Sequence, residues 1–241
     1  MRLDRFVCHA SNTPRTQAVR WIRGGCVQLN GSFCKDGAAQ VAPGRDRVRL
    51  LGKDLQPPGP VVLMLHKPLG VVPSTETGGG RTVMDCVDPA LRHKDLAPIG
   101  RLDKDTTGLL LLTTDGKLNH ALCHPRRHVD KAYRATLDAE LSADAEAQFA
   151  AGITLADGTV CLPAGFERLG PLQVRIVLRE GKFHQVKRMV AACGAAVVAL
   201  HRERIGELWL DPALAPGQAR RLTGDELAAL GFAVADLTEA T

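Results

Sequence analysis

The chain has 241 residues, of which 45% are hydrophobic and 24% charged, so it can bury the core of one large domain or of two unequal domains. No apolar run approaches the roughly 20 residues of a membrane-spanning helix, and the first residues lack the apolar run of a signal peptide. These features argue against a membrane protein and predict a cytoplasmic location. The seven cysteines include no Cys-x-x-Cys pair, so neither a zinc site nor a disulfide framework is predicted.

The net charge of +5 is unevenly distributed along the chain. Residues 1–60 carry ten basic and four acidic side chains, a net charge of +6, whereas the remaining 181 residues carry −1. Positive charge concentrated in a short segment is typical of a polyanion-binding module attached to a larger body. We therefore predict a small basic domain over residues 1–55.

Within this segment, apolar residues recur at helical spacing over residues 3–10 and predict a first helix. Thr13 is predicted to be the N-cap of a second helix, with Pro14 at its first position, where the missing N–H costs nothing. Residues 27–29 and 48–50 alternate between apolar and polar side chains, as short strands do. The segment therefore predicts a small α+β unit.

A proline-rich stretch, residues 56–60, is incompatible with a helix and predicts a stiff linker. A second domain is predicted over residues 61–231, followed by a flexible tail over residues 232–241. A buried strand is predicted at 61–65, an alternating strand at 132–137 and a further strand at 173–178.

The second domain contains four leucines in a row, residues 109–112, which predict a strand buried on both faces. Asp115-Gly116 after it predicts a tight turn. A charged loop with Arg101, Asp103 and Asp105 precedes the strand. Because a buried strand holds such a loop rigid, the loop is a candidate for chemistry.

Further candidates lie later in the chain. Lys187 and Arg188 begin a predicted helix, and Tyr133 is the only tyrosine in the chain and follows a basic stretch. An acid, a cation and an aromatic ring would suit a base pulled out of a nucleic acid helix. Basic residues alone do not choose between RNA and DNA, so a double-stranded DNA regulator that uses residues 1–31 as a helix-turn-helix stays an alternative.

The N-terminal pattern Arg2-Leu3-Asp4-Arg5-Phe6, followed by Arg15-x-x-Ala18-x-x-x-Ile22-x-x-Gly25-x-Val27-x-Leu29-Asn30-Gly31, resembles the S4 RNA-binding domain. The resemblance implies that five arginines face RNA phosphates. They are Arg2, Arg5, Arg15, Arg20 and Arg23.

A set of motifs in the second domain resembles the pseudouridine synthases. They are Lys67-Pro68-x-Gly70, Gly100-Arg101-Leu102-Asp103, Asp105-Thr106-Thr107-Gly108-Leu109-Leu110, Lys131-x-Tyr133 and Gly181-Lys182-Phe183-His184-Gln185-Val186-Lys187-Arg188-Met189. The last motif resembles the form found in the branch of the family that modifies small-subunit (16S) rRNA. Large-subunit relatives usually carry Arg at the position of Lys187. We predict an α+β protein: an S4 module plus a catalytic domain with a mixed, mostly antiparallel sheet flanked by helices.

The family resemblance implies a role for each candidate residue. Asp103 matches the catalytic aspartate, and Lys187 matches the cation that keeps it ionised, with Arg188 as the second choice. Tyr133 matches the ring that stacks on the extruded uracil and assists loss of the proton from C5.

The resemblance also implies contacts with RNA. Arg101 is at the position that enters the RNA helix behind the extruded base, although an ion pair with Asp105 is an equal alternative. Leu200 matches an apolar residue beside the site. Lys67 is expected either to contact a phosphate or to brace the loop.

The function predicted from this resemblance is rRNA modification by isomerisation of a uridine, without a cofactor, a nucleotide or a metal ion. The expected partner is small-subunit rRNA, partly assembled with ribosomal proteins, and the expected state is a monomer without membrane association. Two alternatives stay open: a large-subunit rRNA pseudouridine synthase, and a non-catalytic RNA-binding or ribosome assembly factor.

Overall fold

The structure of the protein is a computed structural model that describes residues 1–55, 61–76, 80–124 and 127–232. Contacts between Cα atoms divide the chain into two units. The first unit contains residues 1–55 and His93–Asp95, and the second contains the rest of the described chain. The predicted linker at 56–60 lies outside the described residues, as does the predicted tail beyond its first residue. The domain boundaries therefore stay predictions.

The first unit packs two helices against a four-stranded antiparallel sheet. Helix α1 spans Leu3–Ala10 and helix α2 spans Arg15–Arg23. The strands are β1 (Val27–Leu29), β2 (Ser32–Phe33), β3 (Val48–Leu50) and β4 (Lys53–Leu55), in the sheet order β2-β1-β3-β4. The first helix and the strands at 27–29 and 48–50 are thus confirmed. Their apolar faces form one core, because the side chains that the helical and alternating patterns selected are buried.

The start of α2 differs from the prediction. Pro14, not Thr13, is its N-cap, since a ψ of 144° keeps Pro14 extended and the helix begins at Arg15. The Thr13 hydroxyl lies 2.8 Å from the Ser11 hydroxyl instead. The fixed φ of proline is compatible with either position, so the sequence alone did not decide where the helix begins.

The described residues of the second unit form a nine-stranded sheet. Its strands are β5 (Val62–Lys67), β6 (Ala97–Ile99), β7 (Thr106–Thr113), β8 (Lys131–Leu137), β9 (Gly165–Gly170), β10 (Gln173–Leu178), β11 (Val197–Ile205), β12 (Leu208–Trp209) and β13 (Ala219–Arg221). The order is β13-β5-β7-β11-β8-β10-β9, with β6 paired to β7 and β12 to β11. Only the β7–β11 pair is parallel among these strands, which confirms the mixed, mostly antiparallel sheet.

The helices of the second unit are α3 (Gly116–Cys123), α4 (Ala145–Ala151), α5 (Gln185–Ala192) and α6 (Gly224–Ala229), with short 3-10 helices at Val83–Cys86 and Pro89–Leu91. Within the described residues, no helix has both the length and the apolar character needed to cross a bilayer. Helices α4 and α5 pack on strands β8, β10 and β11 to form one core. A second core lies around β5 and β7, and Tyr133 packs against both cores.

The sequence Asp115-Gly116 starts a helix instead of forming the predicted tight turn. The Asp115 carboxylate accepts hydrogen bonds from the N–H groups of Lys117, at 2.7 Å, and Leu118, at 3.2 Å. Aspartate satisfies the free amides of a first helical turn as readily as it forms a turn, so this pair is ambiguous in sequence. The strand ahead of it is also longer than predicted, because β7 begins at Thr106.

The parallel contact of β7 with β11 depends on Gly108, which has a φ of +106°. A Cβ atom there would lie 2.2 Å from the carbonyl oxygen of Arg202 and 2.7 Å from its amide nitrogen. Both contacts are with backbone, so no side-chain rotation can relieve them. The strands can therefore pair this closely only if residue 108 lacks a side chain.

We expect Gly108→Ala to lower the free energy of unfolding by roughly 3 kcal/mol or more, because the new methyl group meets backbone atoms and the φ is strained. Urea unfolding measures the change. The matched control is Gly116→Ala at the first residue of α3, where a Cβ would meet nothing within 4 Å. That variant should stay within about 1 kcal/mol of the unmodified protein. Equal unfolding midpoints for both variants would contradict the role of Gly108.

Candidate active site

The loop between β6 and β7 carries Asp103. Its backbone is fixed by a hydrogen bond of 3.1 Å from the Thr106 N–H to the Asp103 carbonyl, and by one of 2.9 Å from the Gly70 N–H to the Lys104 carbonyl. The Asp103 side chain is 30% exposed. The loop thus presents a carboxylate that is held in place but accessible to a ligand.

Lys187 is the cation that lies opposite this carboxylate. Its Nζ is 3.2 Å from Oδ2 of Asp103 and 2.6 Å from Oδ1 of Asp105. The imidazole of His184 lies on the other side, with Nε2 3.6 Å from Oδ1 of Asp103. His184 is the N-cap of α5 and has a left-handed φ of 49°, which places Lys187 in the first turn of that helix. One ammonium group therefore bridges two carboxylates of the loop.

The pKa of Lys187 reflects these contacts. Burial acts to lower the pKa, but the hydrogen bonds to Asp105 and Asp103 outweigh it, so the pKa of Lys187 is raised above its usual value. The bond from Lys187 also holds the pKa of Asp105 below its usual value. Lys187 is therefore charged at neutral pH.

Arg188, the adjacent cation, has a different partner. Its guanidinium lies 2.5 Å from Oδ2 of Asp157, and its Nη1 is 3.4 Å from the Phe183 carbonyl oxygen. Successive side chains of an α-helix project about 100° apart, so two neighbours cannot face the same carboxylate. The two cations were left open by the sequence, and the geometry brings Lys187 beside Asp103 and leaves Arg188 in a separate ion pair.

A cavity of about 290 Å³ opens beside Asp103. Tyr133 of β8 and Leu200 of β11 line it, together with Val186 of α5. Because Tyr133 packs against both cores of the unit, its ring is held at the wall. A carboxylate, an aromatic ring and an aliphatic wall around one cavity can accommodate a flat polar ring such as a nucleobase.

Lys67 lies beneath the loop. Its side chain is fully buried, and Nζ donates hydrogen bonds to the carbonyl oxygens of Thr106, Pro68 and Lys104 at 2.7, 3.1 and 3.3 Å. Burial lowers the pKa of Lys67 to about 8. The three N–H groups of the Lys67 ammonium are all taken by carbonyl oxygens of the chain, so the geometry matches the second of the two predicted roles, bracing of the loop.

Arg101 is exposed and lines the cavity beside Asp103. The suggested ion pair with Asp105 is not formed, because Asp105 binds Lys187. Among the described residues, the Arg101 guanidinium forms no ion pair. It is therefore available to bind a ligand.

The predicted arginines of the first unit are all exposed. Two of them also have a structural role, since Arg2 and Arg15 lie 3.0 and 2.8 Å from the buried carboxylate of Asp4. Burial acts to raise the pKa of Asp4, but the bonds to both arginines outweigh it and lower the pKa to about 2. The other three, Arg5, Arg20 and Arg23, are exposed and form no ion pair with the described residues.

The sequence did not single out Phe183. Its ring is 74% exposed and stacks on the His184 imidazole with 3.8 Å between ring centroids. Both rings line the cavity beside Asp103. An aromatic residue inside the quoted motif was the available signal, but periodicity alone could not show that it faces solvent.

Comparisons with known proteins match each of the two units to a known family. A sequence model described as RNA pseudouridylate synthase matches residues 61–192, and one described as S4 domain matches residues 1–46. The second match favours an S4 domain over a helix-turn-helix DNA regulator.

The curated relatives match nearly the whole chain. "Ribosomal small subunit pseudouridine synthase A" of Salmonella typhimurium is 44% identical over 96% of this chain and 100% of its own length. The protein of the same name from Vibrio cholerae is 41% identical over 95% of this chain and 99% of its own. A solved structure, "Crystal structure of pseudouridylate synthase", has 37% identity and a TM-score of 0.67, and covers 95% of this chain and 99% of that one.

Because the pKa of Lys67 is lowered in the folded state, we expect the stability difference between the unmodified protein and Lys67→Met to depend on pH. Between about pH 8 and the higher pKa of the unfolded chain, the unfolded state binds more protons at this lysine than the folded state does. The free energy of unfolding should therefore rise with pH in this window. The variant Lys67→Met has no amine at this position and should lack this rise. In thermal unfolding, the stability of the unmodified protein relative to Lys67→Met should increase from about pH 8 to pH 9.5.

The built-in control is the range from about pH 6 to pH 7.5, where Lys67 is protonated in both states and the gap should stay constant. A gap that stays constant up to about pH 9.5 would mean that the buried amine keeps its ordinary pKa.

Proposed function

The chain belongs to the RNA pseudouridylate synthase family and carries an S4 domain, and from this premise we propose that it converts one uridine of small-subunit (16S) rRNA into pseudouridine. Pseudouridine synthase activity follows from membership of the family. The small-subunit substrate is supported by the names of the relatives from Salmonella typhimurium and Vibrio cholerae. It is also supported by the resemblance of the motif at residues 181–189, which contains Lys187, to the small-subunit branch of the family.

The proposal rests on one observation above all. The Asp103 carboxylate, 3.2 Å from the Lys187 ammonium, opens onto a cavity lined by Tyr133 and Leu200. This arrangement offers a reacting carboxylate and a platform for a base at one cavity, with a positioning cation next to the carboxylate.

The reaction balances without any added group. The N1–C1′ bond of the uridine breaks, the uracil turns, and a C5–C1′ bond forms, while a proton leaves C5 and N1 gains one. Asp103 can serve as the nucleophile at C1′ or as a base during cleavage, and either role needs a carboxylate placed and kept ionised by a nearby cation. Lys187 is that cation.

A uridine stacked in an RNA helix cannot enter this cavity, so the proposal includes extrusion of the nucleotide from the helix. Tyr133 stacks on the extruded base, and its hydroxyl assists removal of the C5 proton. The exposed guanidinium of Arg101, at the mouth of the cavity, occupies the space that the base leaves. Leu200 closes the apolar side.

We assign RNA binding by the first unit to its exposed arginines, Arg5, Arg20 and Arg23 foremost. The net charge of +6 over residues 1–60 supports this assignment, since phosphates attract such a segment. We further propose that the protein acts as a monomer in the cytoplasm, on small-subunit rRNA partly assembled with ribosomal proteins.

The direct test uses the purified protein with small-subunit rRNA, either free or partly assembled. Pseudouridine should form at one position. Asp103→Asn should bind the RNA with an affinity within about threefold of the unmodified protein, because the amide has nearly the same shape, but should give no product. Full activity of Asp103→Asn would contradict the proposal, whereas loss of RNA binding would mean that the variant is misfolded, which circular dichroism checks.

A second comparison separates the two neighbouring cations. Lys187→Met should lower kcat by roughly 100-fold or more, since a charge beside the reacting carboxylate is lost. Arg188→Met, the matched control one residue away, should change kcat by less than about threefold, because Arg188 pairs with Asp157. Single-turnover rates measure both. The reverse order of effects would assign the catalytic cation to Arg188.

A further inference from the structure

A second cavity, of about 460 Å³, lies next to the catalytic one. Tyr133 and Arg101 line both cavities, so a ligand that extends from the catalytic cavity can continue into the second. Its walls combine apolar side chains, among them Ile99, Leu122 and Ile205, with basic ones. None of the roles proposed above uses this space beyond the shared side chains of Tyr133 and Arg101.

Arg202 lines this cavity and is buried, with 2% of its surface exposed. Its Nε donates a hydrogen bond of 2.7 Å to the Leu109 carbonyl oxygen, but its Nη2 is buried and has no hydrogen-bond partner within the described part of the chain. A guanidinium with an unsatisfied buried N–H is costly, because the group has given up water without gaining an acceptor. An anionic ligand would supply that acceptor.

Lys131, on the neighbouring strand, is the second cation of this wall. Its Nζ is 3.1 Å from the Val129 carbonyl oxygen. Burial lowers the pKa of Lys131, and the nearby charge of Arg202 lowers it further. Two cations of like charge therefore share a partly dry site, which raises the benefit of bringing an anion between them.

The acidic groups nearby are already engaged. Glu180, on the cavity wall, is bonded to Lys182 and to Gln185 Nε2, the latter at 2.6 Å. Asp130 pairs with Arg179 at 2.9 Å. Burial raises the pKa of the Cys123 thiol, so that group is neutral. Among the described residues, neither Arg202 nor Lys131 forms an ion pair with a carboxylate.

We propose that Arg202 and Lys131 form a binding site for one phosphodiester of the RNA substrate, the one belonging to a nucleotide next to the isomerised uridine. Arginine binds phosphate through paired N–H groups, and the unpartnered Nη2 is such a donor. The shared wall with Tyr133 places this nucleotide next to the extruded one. The assignment of RNA as the source of the phosphate rests on the proposed function.

The test replaces the phosphates around the target uridine one at a time with neutral methylphosphonate, in an RNA oligonucleotide that carries the target. The dissociation constant and KM are measured for each oligonucleotide. At one linkage next to the target, the neutral group should weaken binding to the unmodified protein by about tenfold or more, the loss expected for one charged hydrogen bond.

The same substitution should change binding to Lys131→Met by less than about twofold, because the partner of the phosphate is already lost. Arg202→Met should behave in the same way. If circular dichroism shows that Arg202→Met does not fold, Lys131→Met alone decides. The matched control is Lys117→Met, an exposed lysine on α3, which should keep the full effect of the neutral linkage.

If no neutral linkage beside the target distinguishes the unmodified protein from Lys131→Met, the inference is wrong. It is also wrong if inorganic phosphate raises the melting temperature of the unmodified protein but not of Lys131→Met while every linkage behaves alike, since the site would then bind a free anion. Binding is read separately from isomerisation. RNA that binds with the expected dependence on one linkage but is not isomerised would support this site and contradict the proposed function.

Discussion

The close parallel contact between β7 and β11 fixes the geometry of the second unit. Strand β7 follows directly on the loop that carries Asp103, and β11 carries Leu200. At Gly108 the two strands are so close that a methyl group would lie 2.2 Å from the Arg202 carbonyl oxygen. On its other edge, β11 pairs with β8, which carries Tyr133. A single strand thus sets the positions of the carboxylate loop, the aromatic ring and the apolar wall relative to one another.

Three basic side chains of the second unit have different surroundings, and the differences match the different roles proposed for them. Lys67 is fully buried and donates to three backbone carbonyl oxygens, so its charge is used to shape the loop. Lys187 is held by the carboxylates of Asp103 and Asp105, which keeps it charged. Arg202 has one carbonyl partner and one unsatisfied N–H, which leaves it able to bind a ligand.

Much of the second unit was predictable because its patterns admit one interpretation. The run of leucines at 109–112 and the alternation at 173–178 specify strands, and both lie in the sheet. Errors arose where a local signal serves two structures equally well. Proline can be the N-cap or the first residue of a helix, and Asp115-Gly116 can form a turn or cap a helix. In both cases the local sequence allowed two structures, and only the folded structure shows which one forms.

The sequence predicted which residues form the candidate site better than it predicted how they are placed relative to one another. The family resemblance selected Asp103, Tyr133 and Lys187. In the structure Asp103 and Tyr133 line one cavity, and the Lys187 ammonium lies 3.2 Å from Asp103. The choice between Lys187 and Arg188 depended on the rotational position of α5 relative to the loop, which no sequence pattern specifies. The pair Arg202 and Lys131 was out of reach for a similar reason, because the two lie far apart in sequence and meet only through the register of β8 against β11.

The central claim is that the carboxylate of Asp103 isomerises a uridine of small-subunit rRNA. Mapping pseudouridines in rRNA from cells with and without the gene tests it most directly. We expect one small-subunit position to lose its pseudouridine in the deletion strain, and we expect the unmodified gene to restore it while Asp103→Asn does not. An unchanged map, or full restoration by Asp103→Asn, would contradict it.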